Sequence, residues 1–559
     1  MIRYSNDKNS LTQKEYYKNL PTLAEAAEDN FYLFFVNNNK ERLAQRAMLC
    51  GGRSYTYQTL IDMAEEYAEK LCALGLGAGD SIFMLSMPTP EAAALMLAAI
   101  KSDICTIMLS PSPDNGRLSA LIDSENIKYA FISESFLGAV FGMPSLMEKV
   151  VVFQLPHDEY CKEEHRVNND YSEKFAWVKT WDKWNEIEGQ ACLSVENPSN
   201  ICYVAEAPGT ELKGISYSHK AMIYASLMIT NSSLGFEAGD LYVSRIFMNA
   251  MACTSLQLLC PMAVGVAICS DVALPFVDSI IVPDDLLAYH PTGMILSYSS
   301  LYPILMSEKL ADYDFSALKT LYNFGEYFPP DKMNDVLQLV KKNGGKTGVK
   351  NCYGLSESNS IVTAEEPGLE LSASAGAPCP GCRVYIVNPE TEEELPLGNL
   401  GEIVYHSPAM MDGYYKNPVA TNARFTKDEY GVVFDKTGDL GRMDESGLLY
   451  LMGRSDDRFT TTDGKICYLA TIKPTLTADG LFTSCIPTVN DGTVTIHFIS
   501  SASDSELKEA FENIKNRLSD AGIFRDGLFY VKRWDKFPEN HGRVRSDLLK
   551  AQTEGSILL

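Results

Sequence analysis

Two short motifs near residue 440 carry residue types that could hold a sugar. The first is Thr-Gly-Asp at 437–439, and the second is Gly-Arg-Ser-Asp-Asp at 453–457, with the apolar stretch Leu-Leu-Tyr-Leu-Met between them. Glycine allows close backbone approach or a positive φ, so each motif is predicted to form a tight turn, and the apolar stretch is typical of a buried strand. A carboxylate beside such a tight glycine turn can accept hydrogen bonds from both hydroxyls of a sugar diol. The alternative for the first motif alone is a plain surface turn.

A second candidate site lies at 351–358, which reads Asn-Cys-Tyr-Gly-Leu-Ser-Glu-Ser. Tyr353 offers an aromatic face, Ser356 a hydroxyl and Glu357 a hard oxygen ligand, and this combination suits ATP with its magnesium ion. The structural alternative is a Tyr-Gly turn that leads into a loop. Just upstream, residues 318–331 predict a strand, a glycine turn and then a helix.

Together these motifs resemble the acyl-adenylate-forming superfamily, which holds acyl-CoA synthetases, peptide-synthetase adenylation domains and beetle luciferases. The resemblance extends from about Tyr55 to Leu549, nearly the whole chain. It implies that ATP and Mg²⁺ activate a small-molecule carboxylic acid to an acyl-adenylate with release of pyrophosphate. It also implies that the acyl group then passes to coenzyme A or to another thiol, such as that of a carrier protein.

The resemblance implies roles for the residues of the 351–358 motif. Tyr353, followed by Gly354, would stack on adenine, and Ser356 would hydrogen-bond the α-phosphate. Glu357 would hold the magnesium ion, which makes it the metal ligand and a member of the catalytic set.

Other matching positions complete the nucleotide site that the resemblance implies. Asp439 would bind the ribose, and Arg454 would make a second ribose or phosphate contact. Gly325 and Glu326 would form the turn that lines the acyl and adenine pockets, although Phe324 replaces the first glycine of the family's Gly-Gly-Glu.

The loop expected to cradle the phosphates departs from the family pattern. It reads Ala-Glu-Ala-Pro-Gly-Thr-Glu-Leu-Lys-Gly at 205–214, where the family has Ser, Thr and Gly before a final Pro-Lys-Gly. Thr210 and Lys213 remain as phosphate contacts, but the proline removes one N–H donor. A carboxylate about 5 Å from a phosphate charge costs roughly 3 kcal/mol at an effective dielectric near 20. Two glutamates in this loop therefore predict weakened nucleotide binding unless magnesium or Lys213 offsets them, and the alternative is an ordinary solvent loop.

Two further departures bear on substrate and rate. Met248 takes the place of the family's His or of the Asp that pairs with a substrate amine, which disfavours α-amino acids because their ammonium would be unpaired. The alternative is that Met248 simply belongs to the core. Near the end of the chain, Arg543 replaces the lysine that stabilises charge developing during adenylation. Its planar guanidinium keeps the charge but changes the geometry, so we expect slower adenylation.

Hydrophobic patterning predicts an α/β fold. Predicted helices and strands alternate in the way of parallel sheets covered by helices. They are a helix with an apolar face at 60–74, a strand at 81–86, a helix at 90–100 and a strand at 105–109. We predict a large N-terminal domain, 1–455, with two such sheets and a small β-barrel subdomain at about 372–455, which includes strands at 383–387 and 401–406. The resemblance implies that a small, mobile α+β C-terminal domain occupies 456–559 and pivots at Asp456.

Two local features refine this outline. The first fifty residues are predicted to be helical, whereas a helix in the C-terminal domain should begin at Ser503 because Glu506 gives a capping-box spacing. Cys379 and Cys382 have metal or redox spacing, but no second pair or histidine cluster completes a site. We therefore interpret them as two small buried residues flanking a Pro-Gly turn.

Composition limits the possible partners. The net charge of -25 and a pI near 4.8 disfavour nucleic acid and anionic membranes. The 14 scattered cysteines and a polar N-terminal stretch without an apolar core favour a reducing, cytoplasmic location. The main alternative to an active ligase is a weakened or inactive relative that binds a nucleotide or acyl ligand, or acts as a scaffold. A luciferase-like oxygenase has no specific support in the residues.

Overall fold

The computed structural model describes residues 1–5, 7–14, 30–108, 123–134, 136–137, 150–156, 175–191, 203–206, 214–244, 252–270, 282–461, 466–469, 472, 475–476, 481–482, 484–490, 492–524, 527–535, 537, 539–540, 543–544, 549 and 556–558. The α-helices within these ranges, numbered in chain order, are α1 Phe31–Asn39, α2 Tyr57–Ala73, α3 Pro90–Lys101, α4 Trp181–Asn185, α5 His219–Asn231, α6 Cys260–Ala263, α7 Val282–Tyr289, α8 Tyr298–Leu305, α9 Pro330–Lys342, α10 Pro418–Arg424 and α11 Asp504–Asp520.

The strands within the same ranges, also in chain order, are β1 Arg46–Cys50, β2 Arg53–Thr56, β3 Ser81–Leu85, β4 Cys105–Met108, β5 Tyr129–Ser133, β6 Val151–Leu155, β7 Val178–Lys179, β8 Tyr203–Glu206, β9 Gly214–Tyr217, β10 Leu241–Ser244, β11 Ala267–Ser270, β12 Gly293–Leu296, β13 Thr320–Phe324, β14 Lys350–Gly354, β15 Ile361–Ala364, β16 Ala377–Pro378, β17 Arg383–Val387, β18 Gly401–His406, β19 Gly413–Tyr414, β20 Phe425–Lys427, β21 Val433–Met443, β22 Leu449–Arg454, β23 Arg458–Thr460, β24 Ile466–Tyr468, β25 Ser484–Asn490, β26 Thr493–Ile499, β27 Phe529–Arg533, β28 Glu539–Asn540, β29 Arg543–Val544 and β30 Ile557–Leu558.

Two large, mainly parallel sheets form the body of the protein. The first has nine strands in the order β16, β15, β14, β13, β12, β10, β11, β1, β2, and the second has eight in the order β19, β9, β8, β4, β3, β5, β6, β7. The strands from β14 to β1 are parallel in the first sheet, and those from β8 to β7 are parallel in the second. One continuous apolar cluster includes residues from both sheets. The predicted α/β fold with two helix-covered sheets is confirmed.

Local chemistry explains where the first helices begin. The Thr56 side chain accepts a hydrogen bond from the Thr59 N–H at the start of α2, and the Thr89 side chain accepts one from the Ala92 N–H at the start of α3. Pro90 occupies the first turn of α3, where its missing N–H has no cost. Every residue of α3 is buried, which fits its run of alanine, leucine and methionine.

A third sheet contains the residues of interest between 383 and 454. It has the order β17, β18, β21, β20, and β22 also pairs with the long central strand β21. Strands β17 and β18 have the bounds that the sequence predicts. The pairings found among the described strands do not join the two ends of this sheet, so a closed barrel remains a prediction.

The C-terminal part has its own sheet and core. Strands β25, β26, β27 and β30 form a four-stranded sheet, and α11 begins with the predicted capping box between Ser503 and Glu506. Its apolar residues form a cluster separate from the main core, running from Phe459 to Val531. This separate core supports the predicted division at 455/456, which stays a prediction.

The prediction that the first fifty residues are helical is wrong for their last five. Residues 46–50 form β1, which pairs in parallel with β11 and places Met48 beside Ile268. The partner is more than two hundred residues away, and burial of β1 between β11 and β2 outweighs the local preference of Ala, Met and Leu for helix.

Candidate functional site

The Thr-Gly-Asp motif lies inside β21, and the prediction of a tight turn there is wrong. Gly438 has a φ of +70° within this strand, and a Cβ there would lie 3.1 Å from Arg454 Nη2. The Thr437 hydroxyl donates to the Ile403 carbonyl at 2.7 Å and accepts from the Asp439 N–H at 2.9 Å. The positive φ favours glycine at this position, as the sequence indicates, and the missing Cβ leaves room for the end of the Arg454 side chain, while the pairing of β21 replaces the turn.

Asp439 and Arg454 form an ion pair across two strands. They are direct partners in the β21–β22 register, and Arg454 Nη1 lies 2.7 Å from Asp439 Oδ1. Half of the Arg454 side chain is exposed at 49%, against 16% for Asp439. Arg454 Nη1 also lies 3.4 Å from the Thr437 carbonyl oxygen. The two polar motifs thus converge on one carboxylate beside a solvent-accessible guanidinium.

Tyr353 joins this pair from the nine-stranded sheet. It lies in β14, and its hydroxyl donates to Asp439 Oδ2 at 2.6 Å. Its ring is buried, and burial first and Asp439 second raise the pKa of the hydroxyl well above its usual value. The structure therefore brings Tyr353, Asp439 and Arg454 into one contact group. Stacking of Tyr353 on adenine stays a prediction, because the contact found here is made by its hydroxyl.

The segment after Tyr353 makes a sharp bend. A Cβ at Gly354 would lie 2.4 Å from the Ser360 carbonyl oxygen, so only glycine fits there. Residues Ser356–Ser358 form a 3₁₀ turn, and the Ser356 carbonyl accepts from the Tyr217 hydroxyl at 2.6 Å. Tyr217 belongs to the eight-stranded sheet, so this bend connects the two large sheets.

Glu357 points into a polar, nearly enclosed environment. It is 8% exposed, and its Oε1 accepts from the Tyr414 hydroxyl at 2.8 Å and lies 3.8 Å from Arg424 Nη2. A carboxylate oxygen suits Mg²⁺, which usually keeps several waters and binds protein through one or two carboxylates plus substrate phosphates. Within the described ranges no group of three or more acidic, histidine or cysteine side chains could hold a metal. The donor set therefore fits a magnesium ion that Glu357 and nucleotide phosphates share.

Gly325 and Glu326 lie beside this site because their strand is next to β14. Strands β13 and β14 are parallel, with Asn323 opposite Asn351, so their carboxyl ends meet at one edge of the sheet. Gly325 has a φ of +76°, as a glycine turn requires. The Glu326 carboxylate accepts from the Ser299 N–H at 2.9 Å and from its hydroxyl at 3.0 Å. The turn is thus fixed in place, and its pocket-lining role stays a prediction.

Several predicted residues lie outside the described part of the chain. They are Thr210 and Lys213 of the phosphate loop, and Met248. The backbone of Arg543 lies in β29, paired with β28, but its side chain is not described. The roles predicted for these residues stay predictions.

Arg424 and Asp435 complete the site, although sequence reasoning did not single them out. The guanidinium contacts the Asp435 carboxylate through Nε, and through Nη2 at 3.2 Å, and Asp435 is fully buried. The Tyr405 hydroxyl donates to the same carboxylate at 2.8 Å. The sequence does contain a signal for a buried carboxylate. Asp435 directly follows Val433 and Phe434, and it occupies a position that β21 buries.

The Cys-Pro-Gly-Cys motif consists of two small buried residues that flank a turn, as interpreted from the sequence. Cys379 and Cys382 are buried and free, and the Cys382 N–H donates to the Cys379 carbonyl at 2.9 Å across a turn. Gly381 supplies a φ of +82°. Burial first, followed by the neighbouring thiol, raises the pKa of Cys379, so both residues act as small core side chains around a turn.

Comparisons with known proteins give CoA ligases and peptide synthetases among the relatives. The pattern described as "AMP-binding enzyme" matches residues 35–415. A probable 4-coumarate–CoA ligase of Dictyostelium discoideum is 37% identical over 146 residues, which are 26% of this chain and 25% of the relative. The chain thus matches about a quarter of the length of that relative. A probable CoA ligase of Humulus lupulus is 26% identical over 420 residues, 72% of this chain and 70% of the relative.

The fold is also that of a solved structure. ATP-bound MatB from Rhodopseudomonas palustris superposes with a TM-score of 0.75 at 19% identity, covering 94% of this chain and 99% of that one. Among the helices that the structure describes, none combines the length and apolarity needed to cross a bilayer.

Proposed function

The chain belongs to the family of AMP-binding enzymes, and from this premise we propose that it activates a small carboxylic acid with ATP. The products are an acyl-adenylate and pyrophosphate, and the acyl group then passes to coenzyme A or to a carrier-protein thiol. The observation that carries the proposal is the contact group of Tyr353, Asp439 and Arg454. Glu357 lies near this group, three residues after the strand that ends at Gly354.

The first half-reaction is an in-line displacement at the α-phosphorus. An oxygen of the substrate carboxylate attacks phosphorus, the bond from the α-phosphorus to the bridging oxygen breaks, and pyrophosphate leaves with the electron pair. Ser356, which follows the bend at Gly354, would donate to the α-phosphate, and Lys213 and Arg543 would balance the developing charge. A magnesium ion held by Glu357 would neutralise phosphate charge when bound.

The second half-reaction transfers the acyl group. The thiol sulfur attacks the acyl carbon and loses its proton, the mixed anhydride bond to phosphate breaks, and AMP leaves. We propose that the C-terminal domain, 456–559, swings about Asp456 between the two steps. Its separate apolar core is what such a movement needs, since the domain could move without opening the main core.

Asp439 can hold a ribose without losing its present partners. A carboxylate has about four acceptor positions on its two oxygens, and Tyr353 and Arg454 use one on each. The remaining acceptor positions can take the two hydroxyls of a ribose. Arg454 is half exposed and has further N–H donors that can reach the nucleotide, while Tyr353 keeps the carboxylate oriented.

A second candidate function is supported by the phosphate loop. The sequence from 205 to 214 contains a proline and two glutamates where the family has hydroxyls and glycines. A chain with such a loop could bind a nucleotide or acyl ligand and turn over poorly, as a binding or scaffolding protein. The acidic composition and scattered cysteines fit our proposal of a cytoplasmic location in either case.

An exchange assay separates the two functions. The wild-type chain is incubated with ATP, Mg²⁺ and radioactive pyrophosphate together with aliphatic, aromatic and α-amino acids, one at a time. Label entering ATP with an aliphatic or aromatic acid supports the ligase. If no acid gives exchange while ATP binds in calorimetry, the ligase proposal is wrong and the binding function stands. Replacing residues 206–208 by Ser-Thr-Gly should then restore exchange if the loop is the defect.

A further inference from the structure

A charged cluster lies between Glu357 and the ribose-binding strand. Its centre is Arg424, the last residue of α10, whose side chain is 15% exposed. Two guanidinium nitrogens contact the Asp435 carboxylate, and Nη1 donates to the Thr437 carbonyl at 3.2 Å. The guanidinium is therefore held in one orientation by two neighbours on the same strand.

The same guanidinium faces Glu357. Its Nη2 lies 3.8 Å from Glu357 Oε1, the oxygen that also accepts from Tyr414. Burial alone would lower the pKa of Arg424, but the charges of Asp435 and Glu357 outweigh it and raise the pKa. A permanent positive charge thus lies beside the carboxylate, in an environment where charges are screened little.

We propose that Arg424 is a positioning residue that balances the charge of Glu357 and thereby limits the affinity of this carboxylate for a divalent cation. The inference rests on the proposed function, in which Glu357 holds the metal ion. A guanidinium and a divalent cation that share one carboxylate repel each other. Asp435 draws the guanidinium toward itself, so the cation is admitted but bound more weakly than Glu357 alone would bind it.

The test measures Mn²⁺ binding to the full chain with α,β-methylene-ATP, by the electron paramagnetic resonance signal of free Mn²⁺. The double variant Arg424→Met/Asp435→Leu removes both members of the Arg424–Asp435 pair, so neither is left behind alone in the interior, and Glu357 keeps the Tyr414 hydroxyl as a hydrogen-bond donor. We expect its dissociation constant for Mn²⁺ to fall about tenfold, because the competing cation is gone. Asp435→Asn should raise the constant, since the guanidinium loses its anchor and turns to Glu357. Arg442→Met is the matched control. Arg442 lies in β21, as Asp435 does, but its guanidinium stacks on Tyr450.

The direction of the two changes distinguishes the proposal from structural damage, which would weaken binding in both variants. If the double variant binds Mn²⁺ no more tightly than the wild type while Glu357→Gln weakens binding, the role of Arg424 is wrong and the metal ligand stands. If Glu357→Gln leaves Mn²⁺ affinity unchanged, the assigned ligand is wrong and the role of Arg424 is overturned with it. If circular dichroism shows the double variant unfolded, an unchanged or lower constant in Asp435→Asn overturns the proposal.

Discussion

The hydroxyl of Tyr353 donates a 2.6 Å hydrogen bond to Oδ2 of Asp439. The bond connects β14 of the nine-stranded sheet with β21 of the five-stranded sheet. Burial raises the pKa of the hydroxyl, and the Asp439 charge raises it further, so it remains a donor at physiological pH. The orientation of the proposed ribose ligand thus depends on how these two sheets pack.

The substitution Tyr353→Phe tests this orientation. It keeps the ring and removes the hydroxyl, so Asp439 loses one partner and becomes free to rotate. A hydrogen bond to a charged group contributes about 1.5–3 kcal/mol, and we expect ATP affinity to fall about tenfold in isothermal titration calorimetry. Tyr450→Phe is the matched control, because it removes a 3.0 Å hydroxyl bond to the Asp444 carboxylate from a residue of the five-stranded sheet. Equal losses in the two variants would contradict a specific role for Tyr353.

The substitution Asp439→Asn tests the ribose contact itself. An amide has similar volume but accepts through one oxygen only, and it loses the ion pair with Arg454. We expect ATP affinity to fall about a hundredfold, because two charge-assisted hydrogen bonds of about 1.5 kcal/mol or more are lost. The affinity for inorganic pyrophosphate should change much less, since pyrophosphate has no ribose. Unchanged ATP binding would remove Asp439 from the site.

Much of the fold could be predicted from the sequence where the cause is local. Helix α3 begins at Pro90 because Thr89 and the proline are adjacent in sequence, and α11 begins after Ser503 because Glu506 is one turn away. The strands β17 and β18 are short stretches rich in β-branched and aromatic residues, and they match their predicted bounds. Motif positions such as Tyr353 and Asp439 were predicted in the same way, from adjacent residue types.

The rest depends on pairings between distant segments. That Thr437 lies inside a strand follows from the pairing of β21 with β18 and β22, which no local pattern shows. Strand β1 exists because β11 lies beside it. The partnership of Arg424 with Asp435 and Glu357 joins three elements, so the sequence shows the three charges but not their distances.

Gly438→Ala tests the close approach at the ribose motif. A Cβ at a φ of +70° is strained, and here it also meets Arg454 Nη2 at 3.1 Å. The matched control is Gly492→Ala, where φ is +75° and no atom of the residues that the structure describes lies within 4 Å of the added Cβ. Both variants should lose about 1–2 kcal/mol of local stability in urea unfolding, the usual cost of this conformation. Only Gly438→Ala should also lower ATP affinity, and equal ATP affinity in both would contradict the steric argument.

His219 should make the protein sensitive to acid. Its Nδ1 accepts a hydrogen bond from the Phe31 N–H at 3.2 Å, and its ring is buried. Burial lowers its pKa to about 4, although Asp103 at 3.9 Å opposes the shift. The unfolded chain binds a proton near pH 6.5 and the folded chain does not, so stability is lost as pH falls from 6.5 toward 4. His219→Gln keeps an acceptor without this titration.

The free energy of unfolding that His219 removes between pH 7.5 and pH 5 is about 2 kcal/mol. It follows from the difference between the pKa of His219 in the unfolded chain and its pKa in the folded chain. Urea unfolding of the wild type and of His219→Gln at both pH values measures it. We expect the wild type to lose about 2 kcal/mol more than the variant over this interval, because other titrating groups contribute equally to both proteins. A parallel decline in the two proteins would show that His219 takes up its proton in the folded state and that the ring is not held neutral.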